Sequence, residues 1–118
     1  MEIYKEFRFE AAHFLPNVPE GHPCKNTHGH SYRIKIFIKG EINPAIGWIM
    51  DFTDIKKIFE PILLKIDHTL LNNITGLENP TCENMAIWVW AQLKPQLPML
   101  SKIEINETSS SGCIYEGD

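Results

Sequence analysis

The strongest constraint on this chain is a pair of long two-residue alternations, residues 2–13 and 28–39, separated by a segment hostile to regular structure. In the second, His30, Tyr32, Ile34, Ile36 and Ile38 fall on one face, and Ser31, Arg33, Lys35 and Lys39 on the other. That period is the signature of a strand with one buried face. In the first, Ile3, Lys5, Phe7, Phe9, Ala11 and His13 share a face, with Lys5 the only break in an apolar row. Between them, Leu15 to Thr27 carries Pro16, Asn17, Pro19, Gly21, Pro23 and Asn26. Proline lacks a backbone donor and glycine tolerates positive φ, so this segment reads as a long loop. Two consecutive strands of this kind pair as an antiparallel hairpin, which sets the end of the first beside the start of the second.

Helical spacing follows. Asp51-Phe52-Thr53-Asp54 supplies capping oxygens ahead of Ile55, Ile58, Phe59, Ile62, Leu63 and Ile66, predicting a helix over about residues 53–66. Pro61 lies inside it and is expected to bend it or remove a hydrogen bond. A second helix is expected after Asn79-Pro80-Thr81, capped by Thr81, buried through Met85, Trp88, Val89 and Leu93, and ending before Pro95. The tail alternates again through Ile103, Ile105 and Glu107, then turns at Ser109-Ser110-Ser111-Gly112 into Cys113-Ile114-Tyr115. The order ββααββ indicates an α+β fold. With 118 residues, 43% of them hydrophobic, the chain supports one core and is read as a single domain over 1–118.

Charge and cysteine usage narrow the function. A net charge of -4 and a pI near 5.7, without a run of Lys or Arg, argue against a nucleic-acid surface but leave a small anionic ligand open. No apolar stretch suits a membrane span and no export signal precedes the first strand. Cys24, Cys82 and Cys113 are an odd, scattered set, so a disulfide framework is not expected and a reducing cytoplasm is the expected location.

Strand pairing places His13 near His28 and His30, whose rings project to one side about 6 to 7 Å apart at the backbone. Taken alone, the His-Gly-His triplet reads as chance and His13 as a strand-end histidine with a backbone partner. With strand phase setting all three on one face, they match the three histidines and open fourth position that a catalytic Zn²⁺ takes, and Gly29 leaves room for a close approach. Cys24, in the loop, could close a Cys-His₃ structural site, pack as a small hydrophobe, or act as a thiolate base. Cys82 and Cys113 sit on regular elements and read as structural. Asp67-His68 ends the first helix, where the dipole alone favours a charged histidine, and where a carboxylate could also orient a proton shuttle. Glu107 continues the apolar face of Ile103 and Ile105. It is either an exposed edge residue or a buried carboxylate in need of N–H donors.

The run Cys24-Lys25-Asn26-Thr27-His28-Gly29-His30 resembles the Cys-x-x-x-His-Gly-His signature of the carboxytetrahydropterin-forming branch of the 6-pyruvoyl-tetrahydropterin synthase superfamily, which serves queuosine biosynthesis. The likeness extends to Phe9-Glu10-Ala11-Ala12-His13, Trp48-Ile49-Met50-Asp51-Phe52, Leu77-Glu78-Asn79-Pro80-Thr81 and Gly112-Cys113-Ile114-Tyr115, nearly the whole chain. It implies a tunnelling fold: a four-stranded antiparallel sheet with two helices on one face, assembling through its edges into a barrel, as a homohexamer of two stacked trimers with sites at subunit interfaces. It also implies that His13, His28 and His30 hold Zn²⁺, that Cys24 accepts a proton, that Asp67 and His68 form a relay, and that Glu107 anchors the pterin. The implied reaction takes 7,8-dihydroneopterin triphosphate to 6-carboxy-5,6,7,8-tetrahydropterin, releasing acetaldehyde and triphosphate. Arg8, Lys25, Arg33 and Lys102 are candidate triphosphate contacts. The pyruvoyl-forming sister enzymes carry a longer spacer between cysteine and His-Gly-His, and folate-pathway variants carry glutamate in place of the cysteine, so this spacing favours the carboxy product. From a different class, a non-catalytic zinc-stabilised binding module would use Cys24 as fourth ligand.

Overall fold

The computed structural model describes residues 1–118. Strands β1 (Glu2–His13) and β2 (His28–Lys39) form the expected hairpin, in register from Glu2 opposite Lys39 to His13 opposite His28. Next come helix α1 (Phe52–Ile66), the two-residue strand β3 (Thr69–Leu70), helix α2 (Cys82–Leu93), and strands β4 (Leu100–Asn106) and β5 (Gly112–Tyr115). Sheet order is β3-β1-β2-β4-β5.

The four-stranded antiparallel expectation is therefore corrected to five strands in a mixed sheet. β3 runs parallel to β1, with Thr69 opposite Ala11 and Leu70 opposite Ala12. A two-residue strand carries no period of its own; it forms because α1 delivers the chain back to the β1 edge. There the His68 N–H donates to the Glu10 carbonyl at 2.6 Å and the Thr69 hydroxyl ties back to the Ile66 carbonyl at 2.8 Å. The sheet is open within one chain, ending on β3 and β5.

α1 starts one residue earlier than its spacing predicts because Asp51 is the cap, accepting from the Thr53 N–H at 2.8 Å. It runs unbroken through Pro61, whose exposed position leaves the unclaimed Lys57 carbonyl to water. α2 is capped by Thr81, which accepts from the Asn84 N–H at 3.1 Å. Its buried face is Cys82, Met85, Ala86, Val89 and Leu93. Trp88, expected in that face, is only partly buried, with its indole N–H directed to the Thr75 carbonyl at 3.3 Å. At the start of β5, a Cβ on Gly112 would overlap the Ile105 carbonyl, so only glycine lets β5 close on β4 there.

Both helices cover the same sheet face. Phe7 and Phe9, Tyr32, Ile34, Ile36 and Ile38, and Ile103 and Ile105 meet Ile55, Phe59, Ile62 and Ile66 of α1 and Met85, Val89 and Leu93 of α2. Phe59 is fully buried, its ring centroid 4.7 Å from that of Phe7. No helix is long and apolar enough to cross a membrane. Phe59→Ala is expected to cost about 3–5 kcal/mol in urea denaturation through lost transfer energy and a cavity. Asp51→Ala should cost about 1 kcal/mol through the lost cap. Equal losses would contradict this placement of the core.

Candidate metal centre and active site

At the His13–His28 end of the hairpin the three predicted ligands converge. His13 is 1% exposed and buried against Pro80; its Nδ1 lies 2.9 Å from the Pro80 carbonyl. A carbonyl only accepts, so Nδ1 carries the hydrogen and Nε2 keeps its lone pair. His28 is set the same way, with Nδ1 2.7 Å from the Asn26 carbonyl. The two Nε2 atoms then face each other at 3.0 Å with no proton between them. His30 Nε2 is buried without any hydrogen-bond partner. The ligand atoms of all three lie within 4.8 Å of one another. Apposed lone pairs and an orphaned buried nitrogen are costly in themselves and are satisfied together by one cation, so the residues fit a metal ion.

Burial holds His13 below the usual imidazole range, and the neighbouring His28 and His30 add to this; the Pro80 acceptor and Glu107 work against it. Beneath it, Tyr32 is buried with its hydroxyl 3.3 Å from His13 Nδ1. Burial, first of all, pushes the Tyr32 hydroxyl well above its ordinary range, keeping it neutral. Neither Tyr32 nor the Pro80 carbonyl was singled out as part of the site from sequence. Tyr32 could have been, since it continues the face of His30; a backbone carbonyl leaves no signal.

Glu107 lies just past β4, half-buried, its N–H donating to the Ser111 carbonyl at 2.9 Å. Its carboxylate points at the cluster, 3.6 Å from His13 Nε2 and 3.8 Å from His30 Nε2. This is not the exposed edge glutamate that the strand pattern allowed; its negative charge complements a cation among the imidazoles.

The other candidates fall elsewhere. Asp67 and His68 do touch, Oδ1 to Nδ1 at 2.9 Å, and the same Asp67 oxygen accepts the Glu10 N–H at 3.0 Å. His68 is 77% exposed at φ 59 and, with His30, Glu10 and Ser31, lines an open cavity of about 510 Å³. Cys24 sits on one 3-10 turn (Pro23–Lys25), half-buried, and is not among the metal-competent group. Its N–H donates to His22 Nδ1 at 3.1 Å and its carbonyl accepts from the Leu15 N–H at 2.8 Å, which pins the loop beside β1. Of the four cations, Lys25 pairs with Glu20 and Lys102 lies 3.8 Å from Glu2. Arg8 and Arg33 stand directly opposite each other across β1 and β2, beside a polar cavity of about 460 Å³.

The sequence matches the family described as 6-pyruvoyl tetrahydropterin synthase over residues 2–118. It is 40% identical to 6-carboxy-5,6,7,8-tetrahydropterin synthase of Synechocystis, over 96% of this chain and 91% of that one. It is 33% identical to human 6-pyruvoyl tetrahydrobiopterin synthase, over 79% and 68% respectively. The structure of Caenorhabditis elegans 6-pyruvoyl tetrahydropterin synthase superposes with a TM-score of 0.92 at 28% identity, covering 100% of this chain and 96% of that one. An α+β fold with a three-histidine cluster and a carboxylate at its mouth therefore belongs to an enzyme of the lyase class. The chain is a member of the 6-pyruvoyl tetrahydropterin synthase family.

His30→Ala is expected to lower Zn²⁺ affinity by more than about 100-fold in chelator competition, because a site built from these three imidazoles would lose one donor. Unchanged affinity would place the metal elsewhere. For the metal-free protein, the unfolded chain protonates His13 near pH 6.5 while the folded chain resists, so the unfolded state binds more protons as pH falls. The stability tied to neutral His13 is present above about pH 6.5 and lost below it. Denaturation at pH 8 and pH 5 should show a drop that shrinks in His13→Gln.

Proposed function

We propose that this chain is a zinc-dependent carbon–carbon lyase converting 7,8-dihydroneopterin triphosphate to 6-carboxy-5,6,7,8-tetrahydropterin, acetaldehyde and triphosphate, in queuosine biosynthesis. The observation that carries the reading is the convergence of three Nε2 atoms, one of them partnerless, in front of the Glu107 carboxylate. The Cys24–His28 spacing and the Synechocystis relative support the carboxy product.

When bound, zinc polarises the hydroxyl and carbonyl oxygens of the pterin side chain. His13, His28 and His30 hold it, with the Pro80 and Asn26 carbonyls fixing two of the rings. Glu107 accepts two hydrogen bonds from the amino group and ring N–H of the pterin, a bidentate contact that sets its orientation. Cys24 takes a proton from the side-chain carbon. His68 exchanges protons on the other side of that chain: Asp67 accepts from Nδ1–H, which leaves Nε2 as the transfer atom. The open β3 and β5 edges support assembly into the family's homohexamer, with sites completed at subunit interfaces. The protein acts in the cytoplasm.

A second reading, triphosphate elimination to the pyruvoyl product, is favoured by the likeness to the human enzyme. Zinc-loaded protein incubated with the triphosphate substrate separates the two. Acetaldehyde together with the carboxy product, reduced about 10²–10⁴-fold in Cys24→Ala, is the expected result. Pyruvoyl product without acetaldehyde would assign the second reading, and no turnover by metal-replete protein would overturn both.

A further inference from the structure

Cys82 and Cys113 are 31 residues apart in sequence, yet their sulfurs lie 3.3 Å from each other as free thiols. Two independent pieces of the fold bring them together. Cys82 is the first residue of α2, held by the Thr81 cap. Cys113 is opposite Ile105 in the β4–β5 pairing, which directs it toward the helix-covered face. Cys82 Sγ also approaches the Ile105 carbonyl at 3.6 Å, and Cys113 Sγ the Cys82 carbonyl at 3.4 Å, so both side chains are confined to a small region between α2 and β5. Cys82 is buried, whereas Cys113 is half-exposed on the terminal strand. One thiol is thus placed to meet a small oxidant and the other to resolve the product.

From this juxtaposition we propose that Cys82 and Cys113 form a peroxide-reactive dithiol that closes to a reversible intramolecular disulfide between α2 and β5. The Cys113 thiolate attacks one peroxide oxygen; the O–O bond breaks, hydroxide leaves and takes up a proton as water, and Cys113 becomes a sulfenic acid. The Cys82 sulfur then attacks the sulfenic sulfur, the S–O bond breaks, and the thiol proton leaves with the hydroxide as a second water. The net change is two thiols and one hydrogen peroxide to one disulfide and two waters, and a dithiol reductant reverses it by exchange. The hydrogen bond between the two thiols lowers the pKa of Cys113 and raises that of Cys82, in keeping with this order of attack. The bond would tie together two supports of the histidine cluster: the α2 start, preceded by the Pro80 carbonyl that orients His13, and the hairpin next to Glu107.

The test uses the full-length, zinc-loaded chain with Cys24→Ser, so that only these two thiols remain, treated with a slight excess of hydrogen peroxide. Intact mass is expected to fall by about 2 Da, both thiols to resist alkylation after denaturation, and dithiothreitol to restore them. In the Cys24-containing chain, peptide mapping should recover a Cys82–Cys113 cross-link, and Cys82→Ser should leave Cys113 at a sulfenic or higher oxide. A mass gain of about 16 or 32 Da with Cys82 intact, a disulfide between chains, or two alkylatable thiols after treatment would each overturn the proposal.

Discussion

The in-register pairing of β1 with β2 is the constraint on which the rest depends. Its last pair sets His13 opposite His28, two residues from His30. Side chains alternate between faces, so a slip of one residue would turn the cluster away from the core and turn Ile34, Ile36 and Ile38 out to water. Those isoleucines are fully buried, and the apolar packing that fixes the register therefore fixes the geometry of the histidine cluster as well. The histidine cluster stands at the end of the strand pair whose alignment buries this apolar face.

Alignment alone does not make ligands of these rings. Tautomer and rotation come from two backbone carbonyls outside the sheet, Asn26 at the end of the long loop and Pro80 just ahead of α2. Pro80 is held because Thr81 caps a helix whose inner face packs against the sheet. The loop between the hairpin strands is held by the Leu15 N–H donating to Cys24. A helix start and a loop thus act as the outer supports of a strand-borne cluster, and changes in either reach the histidines without touching them.

Much of this was legible in the sequence because it repeats with a period. The faces of 2–13 and 28–39, the Thr81 cap and the turn at Gly112 each follow from local chemistry, and strand phase alone grouped His13, His28 and His30. Pieces without a period escaped. β3 is too short to alternate, and exists only because α1 ends beside β1. Trp88 has helical spacing but finds its partner in the Thr75 loop. Glu107 was ambiguous because its face is known from the strand but its burial depends on where the histidines stand. Cys82 and Cys113 read only as structural residues on regular elements because their proximity needs both the docking of α2 and the β4–β5 register, neither of which is local.

X-ray absorption at the zinc edge of the zinc-loaded protein tests most directly whether three imidazoles hold a metal with a position left for substrate oxygen. Three nitrogen scatterers with imidazole outer-shell features and one or two oxygens, all at about 2.0–2.2 Å, and no sulfur are expected. A sulfur shell at about 2.3 Å would make Cys24 a ligand, close the site, and contradict its role as the base.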